Sequence, residues 1–183
     1  MSMVTVNLVV LNGERYIRHF LDSLEKQTYP HDKIQFNILD NGSTDNTKGI
    51  IKNFGFRISD FGFAKFSFVE SKENLGMWPG QEELLKHTDG EYVVASAVDI
   101  ILDKDFIKNA VEVMERDGKI GALQPKIYKF DLRGTSTEFL DRLKHGQETT
   151  PRDVRGTSDV KVGTVVPTSQ IDTCGFKIFR SRR

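Results

Sequence analysis

Phe36-Asn37-Ile38-Leu39-Asp40-Asn41-Gly42-Ser43-Thr44-Asp45-Asn46-Thr47 sets the architecture of the chain. A short apolar run ends in an acidic residue and passes through a glycine turn. It then meets hydroxyl and Asp side chains suited to capping a helix, so it reads as strand, loop, helix start. Asp40 then stands at the C-terminal end of a strand. In an open parallel sheet that edge is where ligands bind, because the loops diverge there and helix N-termini turn their unpaired N–H groups into the crevice. The stretch therefore reads as one wall of a nucleotide site.

Working outward, Val4 to Leu11 is β-branched and almost continuously apolar, as expected of a central strand buried on both faces of a parallel sheet. Asn12-Gly13 breaks it, and Ile17, Phe20, Leu21 and Leu24 then recur at helical spacing until Tyr29-Pro30. On the other side, a helix is expected from about Thr44 with Ile50, Ile51 and Phe54, and a strand at Lys65 to Val69. The Phe-rich run between them (Phe54, Phe56, Phe61, Phe63, Phe66, Phe68) reads as a packed connection. Asn74-Leu75-Gly76 turns into a helix marked by Leu84 and Leu85. Tyr92 to Asp99 is another buried strand that ends, like the second, in Asp. A helix with Phe106, Ile107, Ala110, Val111 and Met114 follows, then a strand from Ile120 to Tyr128.

The polar, Gly-, Thr- and Arg-rich stretch at about 129–167 reads as a long surface excursion with one short helix near Phe139 to Leu143, and Ile171 to Phe179 as a final strand. Alternating strands and helices without a dividing linker predict one domain over 1–183, an α/β sandwich with a mainly parallel central sheet.

Composition narrows the function. Hydrophobic residues make up 38% and charged residues 28% of 183, and Lys+Arg balance Asp+Glu at 26 each. Neither nucleic acid nor an anionic membrane is the expected main partner of such a surface. A single cysteine, Cys174, excludes an internal disulfide, and no apolar run approaches the roughly 18 residues that span a bilayer. With no signal peptide in view, the expected address is the cytoplasm, including the inner face of the membrane. His19, His31, His87 and His145 lack ligand spacing, and Trp78 after Gly76 suits packing at a helix start. No Gly-x-Gly-x-x-Gly follows the first strand, which argues against a nicotinamide-dependent oxidoreductase.

Asp40 and Asp99 reach the same sheet edge. A carboxylate beside a Gly-Ser loop can accept from a base N–H or from ribose hydroxyls, whereas one near a diphosphate calls for a bridging Mg²⁺ or Mn²⁺. The same positions also suit a helix cap and a turn, and spacing alone does not choose.

Val4 to Asn12, Phe20 to Pro30 with its Gln27-Thr28-Tyr29-Pro30 ending, Asp40-Asn41-Gly42-Ser43-Thr44-Asp45, Asn74-Leu75-Gly76, Gly90-Glu91-Tyr92, Asp99 followed by Leu102 and Phe106, and Cys174 to Arg180 resemble, in this order, the family-2 glycosyltransferases. The resemblance implies a GT-A (Rossmann-like) three-layer sandwich, a nucleotide-diphosphate sugar donor, a saccharide or lipid-linked acceptor, a divalent metal (Mg²⁺ or Mn²⁺), inversion at the anomeric carbon and a place in cell-surface polysaccharide synthesis. It places Val10, Leu11, Asn12 and Glu14 near the base, Asp40 on the base or ribose with Asn41 beside it, and Asn74 and Gly76 along the nucleotide pocket. Asp99 matches the last Asp of the family's DxD motif, the metal ligand.

Two departures stand out. The DxD region reads Ser96-Ala97-Val98-Asp99, so Ala97 occupies the first acidic position. The family's general base usually lies in an acidic motif beyond the Gly-containing strand, where this sequence ends, so the match reads as truncated on its C-terminal side. No base is assigned; Asp172 and Glu138 read as loop carboxylates. The competing expectation is a noncatalytic nucleotide-sugar-binding module, and the oligomeric state is open.

Overall fold

The computed structural model describes residues 1–125, the Ser59 side chain excepted, and the backbone of 127–131, 166–172 and 177–180. Two compact units emerge, Met1–Gln124 with Phe176–Arg183, and Pro125–Gly175.

In the first unit, β1 (Val4–Val10) lies between β2 (Ile34–Asp40) and β4 (Tyr92–Ala97), with β3 (Lys65–Glu70) outside β2, all four parallel. Two short strands extend the sheet beyond β4: β8 (Lys177–Arg180) antiparallel to β4, then β5 (Ala122–Leu123) antiparallel to β8, giving the order β3-β2-β1-β4-β8-β5. The register sets Val10 opposite Asp40, Asp40 opposite Glu70, and Val9 opposite Ala97, so the C-terminal ends of the four parallel strands form one edge. Every residue of β1 and β2 is buried, as their near-continuous apolar runs require.

Alternation along β2 sends Ile34, Phe36 and Ile38 to one face and Gln35, Asn37 and Leu39 to the other. On the first face Phe36 meets Phe20 of α1 (Ile17–Glu25) and Phe54 of α2 (Thr47–Arg57), with ring centroids 6.0 and 6.1 Å apart. On the second, α3 (Met77–Leu85) sets Leu84 against Val9 and Leu39. Beside that small apolar contact Gln81 Nε2 donates to Ser96 O (3.2 Å), and within the sheet Asn37 Nδ2 donates to Asn7 Oδ1 (3.0 Å). Helices on both faces of a sheet make the expected three layers. The N-terminal end of α4 (Phe106–Arg116) is fixed to the end of α1: Gln27 Nε2 donates to Asp103 O at 2.7 Å, and Ile107 N to Gln27 Oε1 at 3.1 Å.

The Phe-rich connection is packed as expected. Phe54 lies 5.5 Å from Phe61, Phe36 5.9 Å from Phe66, and His31 stacks on Phe63 at 4.6 Å, while Phe56 alone of this run is strongly exposed.

Several boundaries differ from expectation. The segment 120–128 is not one strand: β5 ends at Leu123 and β6 (Ile127–Asp131) belongs to the second unit, after the turn-prone Gln124-Pro125. Nor is 171–179 one strand. Asp172 ends β7 (Val166–Asp172), which pairs antiparallel with β6, and β8 starts at Lys177. The two ends of the expected excursion thus hydrogen-bond to each other. The short helix expected near Phe139 to Leu143 lies outside the described residues, as does Glu138.

Candidate functional site

Where β1 and β2 end, their two loops are laced together. Asn12 N donates to Ser43 Oγ (2.8 Å), Gly13 N to Thr47 Oγ1 (2.8 Å) and Glu14 N to Asp45 Oδ2 (3.1 Å). In the reverse direction Thr44 N donates to Asn12 Oδ1 (2.8 Å) and Asn46 N to Glu14 Oε2 (3.1 Å). This explains why α2 starts at Thr47 and not near Thr44: the expected capping groups of residues 43–45 reach sideways to the neighbouring loop. Asp45 does both, its Oδ1 accepting from Thr47 N (3.0 Å) and Thr47 Oγ1 (2.5 Å). Desolvation acts to raise its pKa, but the Thr47 hydroxyl and the Glu14 and Thr47 amides outweigh it and hold the carboxyl below its ordinary range. Asn12 itself has φ +49°, a left-handed conformation that Asn tolerates better than most residues.

A second link joins the β2 loop to the segment before α3. Asn41 Nδ2 donates to Asn74 Oδ1 (2.8 Å) and Asn41 Oδ1 accepts from Leu75 N (2.8 Å), while Gly76 N donates to Asn74 Oδ1 (2.9 Å). Between these residues Gly42 sits at φ +89°, and a Cβ there would lie 3.3 Å from the carbonyl carbon of Glu73. The backbone passes too close for a side chain.

Asp40 is fully buried. Its Oδ2 accepts from Ser43 N at 3.1 Å and lies 3.5 Å from Lys48 Nζ, whereas Oδ1 has no hydrogen-bond partner. A buried carboxylate oxygen without a donor is costly, and such a group invites an explanation beyond folding. Asp99 is the opposite case. It lies just past β4, exposed, in a turn with Val98, and a Cβ on Gly13 would come within 2.9 Å of Val98 Cγ2, so this turn sits against the β1 loop. β4 and β2 flank β1, which separates the two carboxyl-bearing strand ends by about 10 Å.

The structure therefore gathers the expected positions on one edge: Val10 buried at the end of β1, Leu11 exposed, Asn12 and Glu14 in the lacing, Asp40 at the end of β2 and Asn41 just after it, Asn74 and Gly76 before α3, Asp99 after β4. It also adds Ser43, Asp45, Thr47 and Lys48, which hold the walls; the hydroxyls were visible in sequence but were assigned to a cap. Trp78 is 65% exposed at the start of α3, beside exposed Met77 and Leu75, and does not pack as a helix-start residue. Asp172 ends β7 in the second unit.

Among the described residues no group of three or more His, Cys, Asp and Glu stands ready to hold a metal ion. Asp99 alone therefore fits only a cation that takes its remaining oxygens from elsewhere, such as a diphosphate and water.

A sequence model described as Glycosyl transferase family 2 matches residues 5–170. The chain is 27% identical over 115 residues to the poly(ribitol-phosphate) beta-N-acetylglucosaminyltransferase TarS of Staphylococcus aureus, covering 63% of this chain and 19% of TarS. It is 25% identical over 116 residues to the dolichyl N-acetyl-alpha-D-glucosaminyl phosphate 3-beta-D-2,3-diacetamido-2,3-dideoxy-beta-D-glucuronosyltransferase of Methanococcus voltae, 63% of this chain and 35% of that protein. The mannosyltransferase PcManGT from Pyrobaculum calidifontis, solved with GDP-Man and Mn²⁺, superposes with a TM-score of 0.61 at 30% identity, covering 66% of this chain and 34% of that one. TarS 1-349 with UDP-GlcNAc superposes at 0.61 with 23% identity, over 74% and 37%. These neighbours have the GT-A fold, and the chain shares it. It spans between a fifth and two fifths of the lengths of these relatives.

Proposed function

Because the chain belongs to glycosyl transferase family 2, we propose that it takes a nucleotide-diphosphate sugar as donor and transfers the sugar to a hydroxyl of a saccharide or lipid-linked acceptor, with inversion at the anomeric carbon. The observation that carries this reading is the convergence of Asp40, Asn41, Asn74, Gly76 and Asp99 on the C-terminal edge of the parallel sheet, with one oxygen of Asp40 lacking a donor.

Asp40 would contact the base or ribose, its sealed Oδ1 accepting an N–H or a hydroxyl once the side chains now covering it give way. Asn41, Asn74 and Gly76 would line the nucleotide, and the β1 loop would form its opposite wall. Asp99 would face the diphosphate and contribute one oxygen to a shared Mg²⁺ or Mn²⁺; that ion would stabilise negative charge on the departing nucleoside diphosphate. In the transfer the acceptor oxygen bonds to the anomeric carbon as the carbon–oxygen bond to the phosphate breaks, and the hydroxyl proton passes to a base that no described residue is assigned to be. The relatives support the substrate classes: nucleotide sugars as donors, and polyol-phosphate or lipid-linked glycans as acceptors.

A second reading, a noncatalytic nucleotide-sugar-binding module, is favoured by Ala97 at the first acidic position of the DxD-like run. Turnover separates the two. UDP-GlcNAc or GDP-mannose incubated with the chain, Mn²⁺ and a glycan acceptor should release nucleoside diphosphate, whereas a binding module would retain intact donor.

A further inference from the structure

Asn12 and Glu14 border the donor site, yet their side chains turn away from it toward backbone amides of the neighbouring loop. Asn12 Oδ1 accepts from Thr44 N at 2.8 Å and from Thr44 Oγ1 at 3.3 Å, and Glu14 Oε2 accepts from Asn46 N at 3.1 Å. Asp45 answers from the other side, one oxygen on Glu14 N and the other on Thr47. Every one of these bonds joins the loop after β1 to the loop after β2 or braces the second loop within itself. Without them the two loops would be connected above the strand ends only by the backbone bond Asn41 N to Val10 O (2.8 Å) and by the hydroxyls of Ser43 and Thr47.

We propose that Asn12, Glu14 and Asp45 are positioning residues of the donor site, which fasten the two loops so that Asp40 and Asn41 are held in place before nucleotide arrives, and that they do so through acceptor oxygens rather than by touching the ligand. This rests on the donor-site reading above. Loops that must order on binding weaken affinity, and a preformed wall avoids that loss. The acceptor oxygen is the functional part, so its removal and its retention should separate cleanly. Glu14→Ala removes it; Glu14→Gln keeps an amide oxygen for Asn46 N. Asn12→Gly removes it while tolerating the left-handed backbone; Asn12→Asp keeps an oxygen for Thr44 N and discards only the amide donors.

The test has two readouts on the whole chain. Hydrogen exchange in the absence of nucleotide should speed up at Thr44 and Asn46 in Asn12→Gly and Glu14→Ala respectively, and remain near wild type in Asn12→Asp and Glu14→Gln. Titration with UDP, GDP, dTDP and CDP in the presence of Mn²⁺ should show, for the nucleotide the wild type binds, affinity about tenfold weaker in the two removing variants and close to wild type in the two retaining ones. Affinity lost equally in Glu14→Gln and Glu14→Ala would overturn the proposal in favour of direct contact. Unchanged exchange at Asn46 in Glu14→Ala would overturn the fastening itself. If the wild type binds none of the four nucleotides while exchange responds as stated, it is the donor-site reading that fails and the fastening that stands.

Discussion

Asp40 concentrates the tension between folding and function in one side chain. Folding alone gives it Ser43 N and Lys48 and leaves its other oxygen without a donor. Asp40→Ala should therefore abolish nucleotide-induced stabilisation while costing stability through the orphaned Ser43 amide and Lys48, about 1–3 kcal/mol in denaturant melts. Gly42→Ala should cost a similar amount, about 1–3 kcal/mol, because φ +89° strains alanine and its methyl would press on Glu73. Asp45 predicts a direction with pH. Its folded-state pKa is below the unfolded value of 3.8, so its contribution is complete above that pH and disappears as pH falls through the lower folded value. Asp45→Asn should remove that part of the acid dependence, seen as a flatter midpoint-against-pH curve in the acid range. Of these residues the sequence made Asp40 and Gly42 legible, through a strand-end acid followed by a turn glycine. It could not reveal that Ser43, Asp45 and Thr47 bond across to the β1 loop, because a capping pattern and a cross-loop lacing use the same residue types.

At the level of elements, continuous apolar runs announced β1, β2 and β4, and helical spacing announced α1 and α4, because burial on a defined face is what those patterns encode. The ends were harder. α2 starts three residues late because side-chain partners lie outside the helix, and 120–128 and 171–179 each conceal a change of sheet, which pattern within one segment does not carry. The helix α3 offers a plain energetic test: Leu84 is fully buried against Val9 and Leu39, and Leu84→Ala should destabilise by about 2–5 kcal/mol. Tyr29, after α1, donates to Ser2 O at 2.6 Å and anchors the N-terminus. Burial first, then Glu115, Tyr92 and Glu91, push its pKa from 10.0 to about 12, so its stabilising share is complete below pH 10 and falls away as pH rises towards about 12. Tyr29→Phe should cost about 1 kcal/mol at neutral pH and reduce the alkaline loss of stability.

Across the molecule, a parallel sheet with β1 at its centre turns sequence-distant loops into one edge, and this arrangement was legible from two apolar runs that each end in Asp. The family pattern was legible too, and the match over residues 5–170 agrees with it. Base, sugar and acceptor were not, because they depend on pocket shape and on groups beyond a single acidic residue. Among the described residues no helix is long and apolar enough to cross a membrane.

We propose a metal-dependent nucleoside-diphosphate site reaching from Asp40 to Asp99. Its most direct test is thermal stabilisation by UDP, GDP, dTDP and CDP, each with Mn²⁺ or Mg²⁺ and again with chelator, on wild type and Asp99→Ala. Ligand at about 100 times its dissociation constant stabilises by roughly 2.7 kcal/mol, several degrees for a chain of this size. Such a shift is expected for one nucleotide with metal, lost with chelator and in Asp99→Ala, whose own melting point stays near wild type because the side chain is exposed. A shift that survives both chelator and Asp99→Ala, or no shift with any nucleotide, would contradict it.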